Sequence, residues 1–197
     1  MRILNDFFYS PRSVVALAMV AIAPAAFAAQ ATQVKVDTNM GAFVIELNTK
    51  AAPKTVENFL AYVRSGFYKN TLFHRVIPNF MIQGGGFVMG MEEKDTRAPI
   101  ALESRNGLSN VRGTIAMART NDPNSATSQF FINVRDNRFL DANQAQDGNG
   151  YAVFGKVVSG MSTVDAIARV KTHSVGYYDD VPIRDVVIKN MSVIKGK

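Results

Sequence analysis

The chain has 197 residues, 47% of them hydrophobic and 19% charged, with a formal net charge of +6 and no cysteine. That length fits one domain of roughly 100–200 residues with enough apolar content for a single core. The lack of cysteine excludes a disulfide framework, a thiolate nucleophile and a lipid-modified cysteine, and scattered basic residues without an aromatic–basic motif argue against nucleic-acid binding.

At the N-terminus, Arg2 and Arg12 flank a short lead, after which Ser13 to Ala28 (SVVALAMVAIAPAAFA) carries no charge. A basic flank, an apolar middle and small residues at Ala26 and Ala28 have the form of a secretory signal cut after Ala28. The run is shorter than the about 20 apolar residues that cross a bilayer and is broken by Pro24, so a stable membrane anchor is not expected. The expected organisation is a cleavable leader over 1–28 and one domain over 29–197. Cleavage removes Arg2, Arg12 and Asp6 and leaves the domain basic.

Gln33–Thr38 (QVKVDT) alternates, meets the turn residues NMG, and is followed by Ala42–Leu47 (AFVIEL), which predicts a β-hairpin. A helix is predicted from Pro53, with Val56, Phe59, Leu60 and Val63 on one face and Gly66 as its stop. Short apolar runs follow at Leu72–Ile77, Phe80–Gln83, Thr114–Ala118, Gln129–Val134 and Tyr151–Val158, each bounded by Gly, Pro, Asn or Asp, as strands are. MSTVDAIARV reads as a second helix with Val164, Ile167 and Ala168 apolar, and RDVVIKNMSVI as a final strand. Two helices among many short strands point to a small barrel with helical plugs rather than a βαβ fold.

Most familiar chemistry is missing. His74 and His173 are the only histidines, far apart and without cysteine companions, so no metal site is expected. His74, in an apolar strand, reads as a hydrogen-bonded core or wall histidine. Gly84-Gly85-Gly86 is not followed by the residues of a phosphate loop and reads as a bend or close backbone approach. No Gly-x-Ser-x-Gly elbow occurs, which leaves a hydrolase without a nucleophile. Asp179-Asp180 lies in a Gly/Pro-bounded loop and reads as a solvated pair.

What remains is Arg75, beside Phe73, Phe80, Met81 and Gln83, together with Gln129, Phe130 and Phe131 and then Phe139 and Leu140. Strand alternation puts Gln129 and Phe131 on one face and Phe130 on the other, Phe73 and Arg75 on one face opposite His74, and Met81 with Gln83. Those spacings permit one concave apolar wall with guanidinium and amide donors. They equally permit a barrel core with a surface arginine.

FHRVIPNFMIQGGGF, GTIAMART, SQFFINV and YAVFGKVVSGM closely resemble the cyclophilin family of peptidyl-prolyl cis-trans isomerases, in the family's order over nearly all the chain beyond the leader. The resemblance implies a closed antiparallel barrel of about eight strands capped by two helices, a groove for an Xaa-Pro peptide, and no cofactor or metal. It makes Arg75 the catalytic residue. Phe80, Met81, Phe131 and Leu140 become the proline pocket, Gln83 and Gln129 its polar wall, and Ala118 and Arg119 the strand that contacts substrate backbone. Position 119 is usually Asn in the family. Phe139 stands where eukaryotic members carry a pocket-edge tryptophan, Tyr151 where a histidine is usual, and the segment between them is longer, as in the bacterial exported branch. The implied setting is the periplasm, the partners proline-containing polypeptide clients, and the protein a monomer. Without the indole N–H, weak cyclosporin binding is expected. A chaperone or peptide-binding module that holds clients in the same groove is the alternative.

Overall fold

The computed structural model describes residues 32–195, so the leader, its cleavage point and the first residues of the expected domain lie outside the described residues. Strands β1 (Thr32–Thr38) and β2 (Gly41–Leu47) form the expected hairpin, in register from Gln33 opposite Glu46 to Thr38 opposite Gly41. The Thr38 hydroxyl ties the turn, donating to the Gly41 carbonyl at 2.7 Å and accepting from the Met40 N–H at 3.0 Å. Gly41 sits there at φ +123°, in a region that favours glycine.

Helix α1 (Pro53–Arg64) buries Val56, Phe59, Leu60 and Val63 as their spacing predicts, and Tyr62 as well. Its N-cap is Ala52, which has no side-chain acceptor. The carboxylate of Glu103 supplies one from a distant loop, accepting from the N–H groups of Lys54 at 3.1 Å and Thr55 at 2.8 Å. An anion there also suits the positive end of the helix.

The remaining elements are β3 (Thr71–Leu72), β4 (Arg75–Ile77), β5 (Met81–Gly84), β6 (Phe87–Val88), β7 (Glu92–Glu93), β8 (Thr114–Met117) and β9 (Phe130–Asn133). They are followed by a 3-10 turn (Arg138–Leu140), β10 (Val153–Ser159), α2 (Met161–Ile167), β11 (Thr172–Val175), β12 (Tyr178–Pro182) and β13 (Val187–Lys195). Nine strands make one curled antiparallel sheet in the order β3-β13-β1-β2-β10-β8-β9-β5-β4, and β6–β7 and β11–β12 are separate hairpins that the apolar runs do not announce. Helix α1 packs against β13 and α2 against β2.

Among the described residues the mainly β architecture with two helices is as expected, but the ladder does not close on itself. Its two edge strands, β3 and β4, are consecutive pieces of one segment, so the sheet is a curled half-barrel whose ends meet through the covalent chain. The expected single strand Leu72–Ile77 is broken at Phe73–His74 because there the chain changes partners. Phe73 N–H still donates to Val186 beside β13, while from Arg75 onward the pairing is with β5. Alternation fails across that break. Phe73 turns into the core against Phe43 and Phe130, whereas Arg75 is exposed, so these two residues do not share a face as the alternation implied.

The seam also explains the glycines. A Cβ on Gly84 would lie 2.7 Å from the Leu72 carbonyl oxygen, which the Gly85 N–H meets at 3.2 Å. A Cβ on Gly85, at φ +87°, would lie 2.8 Å from the Phe130 ring. The backbones approach closely enough that side chains have no room.

Candidate active site

Register assembles the site. Arg75 stands opposite Gln83, Gln83 opposite Phe131, and Phe131 opposite Ala116, across four neighbouring strands. Directly opposed residues in antiparallel strands project to the same face, so this row shares one surface. At about 4.8 Å per strand, the Arg75 backbone is roughly 10 Å from that of Phe131, within reach of a long side chain.

On that outer face Met81, Ala116, Phe131 and Val153 form a buried apolar cluster of their own, flanked by Ile77, Phe80, Leu108, Ala118, Leu140 and Tyr151. The alternate residues Val76, Ile82, Ile115, Phe130 and Ile132 point the other way into the main core. The split of Phe130 from Phe131 that alternation predicts is what the structure shows. Phe139 is 55% exposed and stacks on Phe80 with ring centroids 5.8 Å apart, while Tyr151 meets Phe131 edge-on at 5.6 Å.

Polar groups hold this surface in place. The Gln83 amide donates from Nε2 to Gln129 Oε1 at 3.0 Å, and Gly86 leaves the space for it, since a Cβ there would lie 2.6 Å from Gln129 Cγ. Behind Phe80 and Leu140 runs a buried asparagine network. Asn137 Nδ2 donates to the Phe80 carbonyl and to Asn133 Oδ1, both at 2.8 Å, and Asn133 Nδ2 donates to Asn110 Oδ1 at 3.2 Å and Thr114 Oγ1 at 3.0 Å. Asp141 closes the network, accepting from the N–H of Asn110 at 2.7 Å and from the Ser109 hydroxyl. None of these residues stood out in the sequence, although Asn133 follows Phe131 by two on the same strand face.

Arg119 is more than a main-chain contact. Its side chain is only 3% exposed, donates to the carbonyls of Gly150 at 3.0 Å and Thr120 at 2.9 Å, pairs with Asp147, and sets its guanidinium 4.7 Å from the centroid of the Tyr151 ring. It therefore staples the 141–150 segment to the wall that carries Ala118 and Tyr151. The Asp147 carboxyl is held down to about 2, first by the N–H groups of Asn149 and Gly150 and then by Arg119.

On the opposite flank, Arg75 Nε lies 3.7 Å from Asp180, so the Asp179-Asp180 pair is not simply solvated. His74 is 5% exposed and packs on Phe87 at 4.5 Å. Burial, and then the Arg75 charge, lower it to about 4, which keeps the ring neutral near pH 7. The expected hydrogen-bonded histidine is only partly that, because Nδ1 is buried without a partner.

The sequence over residues 33–193 matches the family model for cyclophilin type peptidyl-prolyl cis-trans isomerase/CLD. The chain belongs to the cyclophilin-type peptidyl-prolyl cis-trans isomerases. Peptidyl-prolyl cis-trans isomerase A of Dickeya dadantii is 51% identical over 182 residues, which cover 92% of this chain and 95% of that one. Peptidyl-prolyl cis-trans isomerase B of Escherichia coli is 55% identical over 157 residues, 79% of this chain and 96% of the relative. Among solved structures, a Cryptosporidium parvum cyclophilin crystallised in the presence of the dipeptide Ala-Pro superposes with a TM-score of 0.69 at 29% identity, covering 83% of this chain and 99% of that one. In this cyclophilin, the structure brings Met81, Gln83, Ala118, Gln129, Phe131, Leu140 and Tyr151 to one face with Arg75. Phe80 and Phe139 sit at its rim and Arg119 is packed behind Tyr151.

Proposed function

We propose that this isomerase accelerates rotation about Xaa-Pro bonds of exported polypeptides, with Arg75 as the catalytic residue. The carrying observation is the cross-strand row that sets Arg75 beside Gln83 and in line with Phe131 on the outer face of the sheet. An Xaa-Pro bond rotates over a barrier of about 18–20 kcal/mol because the nitrogen lone pair is shared with the carbonyl, and exchange takes tens to hundreds of seconds. At the twisted transition state the conjugation is broken and the proline nitrogen regains a lone pair. A donor aimed at that nitrogen interacts with the transition state and hardly with the planar ground state.

The guanidinium suits this task, being planar, rich in donors and always charged. Phe80, Met81, Phe131 and Leu140 would hold the proline ring as the fixed end and exclude water, which strengthens the arginine's field. Gln83 and Gln129, locked to each other, form the polar side. The strand at Ala118–Arg119 would hold the peptide backbone while the carbonyl swings. No proton is transferred in such a rotation, so neither nucleophile nor acid–base pair is required.

Isomerisation of a short Xaa-Pro peptide by the domain over 29–197 and its Arg75→Ala variant tests the assignment, and undiminished turnover in the variant sinks it. A client-holding role would survive that substitution in an aggregation assay. The exported setting rests on the basic-flanked apolar run at 1–28. It predicts that the chain recovered from a Gram-negative periplasm starts at Ala29, which an intact-mass measurement decides.

A further inference from the structure

We infer that the β11–β12 hairpin builds a second subsite beside Arg75 that takes a lysine or arginine side chain of the client, next to the proline in sequence. The inference rests on the Arg75 groove proposed above. A cavity of about 390 Å³ adjoins that groove, shares Arg75, Gln83 and Gln129 with it, and is walled by His74, Phe87, Tyr177, Tyr178 and Asp179.

The hairpin's irregular register explains how two successive carboxylates reach one place. His173 pairs with Val181 and Val175 with Tyr178, so Ser174 alone faces both Asp179 and Asp180. In a regular strand consecutive side chains point to opposite faces, but a bulge of two residues against one re-aims them. Asp180 takes the left-handed conformation at φ +61°, which aspartate tolerates better than most residues. The outcome is that Asp179 lines the cavity while Asp180 reaches Arg75.

Charge and surface then select the occupant. Asp180 offsets Arg75 at 3.7 Å, and His74 is neutral, so neither leaves a net positive charge in the cavity. Asp179 forms none of the ion pairs among the described residues; its Oδ1 accepts only from the neutral Ser174 hydroxyl, at 2.6 Å. Beyond the Gln83 and Gln129 amides shared with the groove, the remaining wall is aromatic. Tyr178 meets Phe87 edge-on at 5.2 Å, and Tyr177 is fully exposed beside it. A carboxylate and aromatic faces together suit a cation carried on a long apolar stem. They do not suit an anion.

The test uses peptides with one Xaa-Pro bond that differ only in a residue flanking it, as Lys, norleucine or Glu on either side. Affinity is read by titration against the wild type and Asp179→Asn, with kcat/KM measured in parallel. On one side of the proline, Lys is expected to bind about threefold to tenfold tighter than Glu at low salt, with norleucine between. High salt shrinks the difference, and Asp179→Asn brings the ratio near one while turnover of the norleucine peptide is unchanged. Equal affinities in the wild type, or a Lys preference that persists in Asp179→Asn, overturn the subsite. Because affinity is read independently of turnover, an error in the role given to Arg75 would show instead as undiminished catalysis by Arg75→Ala.

Discussion

Replacing Arg75 by alanine separates catalysis from folding unusually cleanly at this position. The side chain is 44% exposed and its ion pair with Asp180 spans 3.7 Å, so the pair contributes at most about 1 kcal/mol to stability. For a domain of this size that is a shift of about 2–4 °C in Tm or less. The apolar floor is untouched, since Met81 and Phe131 are buried by each other and by Ala116 and Val153, and peptide affinity should change little. In the proposed mechanism, what disappears is a charged hydrogen bond made only when the bond is twisted, worth about 1.5–3 kcal/mol. At 1.36 kcal/mol per factor of ten, kcat falls by about tenfold to 150-fold with KM nearly constant. Arg75→Lys keeps the charge but loses the planar fork, and belongs between the two. Line-shape or exchange NMR on a single Xaa-Pro peptide, with a thermal melt of each variant, reads both quantities. An alanine variant with kcat within twofold of wild type and an unchanged melt refutes the reasoning. A melt lowered by far more than 4 °C shows that the arginine is structural instead.

Asn137→Ala removes the donor to both the Phe80 carbonyl and Asn133 Oδ1 in a fully buried position, which is expected to cost about 2–4 kcal/mol in urea unfolding and to raise KM as the Phe80 side of the pocket loosens. His74 titrates at about 4 when folded and near 6.5 when unfolded, so between those values the unfolded chain binds more protons. Its contribution is fully present above about pH 6.5 and is lost as pH falls toward 4, by roughly 3 kcal/mol, and His74→Gln should flatten that part of a stability–pH curve. Cyclosporin should inhibit weakly, because Phe139 at the pocket rim has no N–H to donate; nanomolar inhibition in the peptide assay contradicts this.

The periodic parts of the fold were legible because burial there follows backbone geometry. Val56, Phe59, Leu60 and Val63 had one face of a helix to occupy, and Phe130 and Phe131 had opposite faces of a strand. Legibility failed where the backbone leaves its period. The change of partner at Phe73–His74 inverted the expected grouping of Phe73 with Arg75, and nothing within one strand's sequence records which strand it pairs with at each residue. The bulge that brings Asp179 and Asp180 to one side is the same kind of event. Asparagines 110, 133 and 137 escaped notice for another reason. Asparagine is usually a surface or turn residue, and only the folded chain shows three of them hydrogen-bonded in a row at 0% exposure, with Asn137 Oδ1 left unpartnered.

The strands β5, β8 and β9 pack on both faces. A slip of one residue in a strand makes every side chain change sides. Here it would turn the outer-face amides of Gln83 and Asn133 into the main core in place of Ile82, Phe130 and Ile132, so the pattern admits one register. The position of Arg75 relative to Phe131 follows from that register through Gln83, with no adjustable loop between them. In the proposed mechanism the guanidinium meets a lone pair that appears only in a twisted bond, and such a donor gains most when its placement is set before the substrate arrives. The core residues on the far side of the sheet thus set the aim of a guanidinium they never touch.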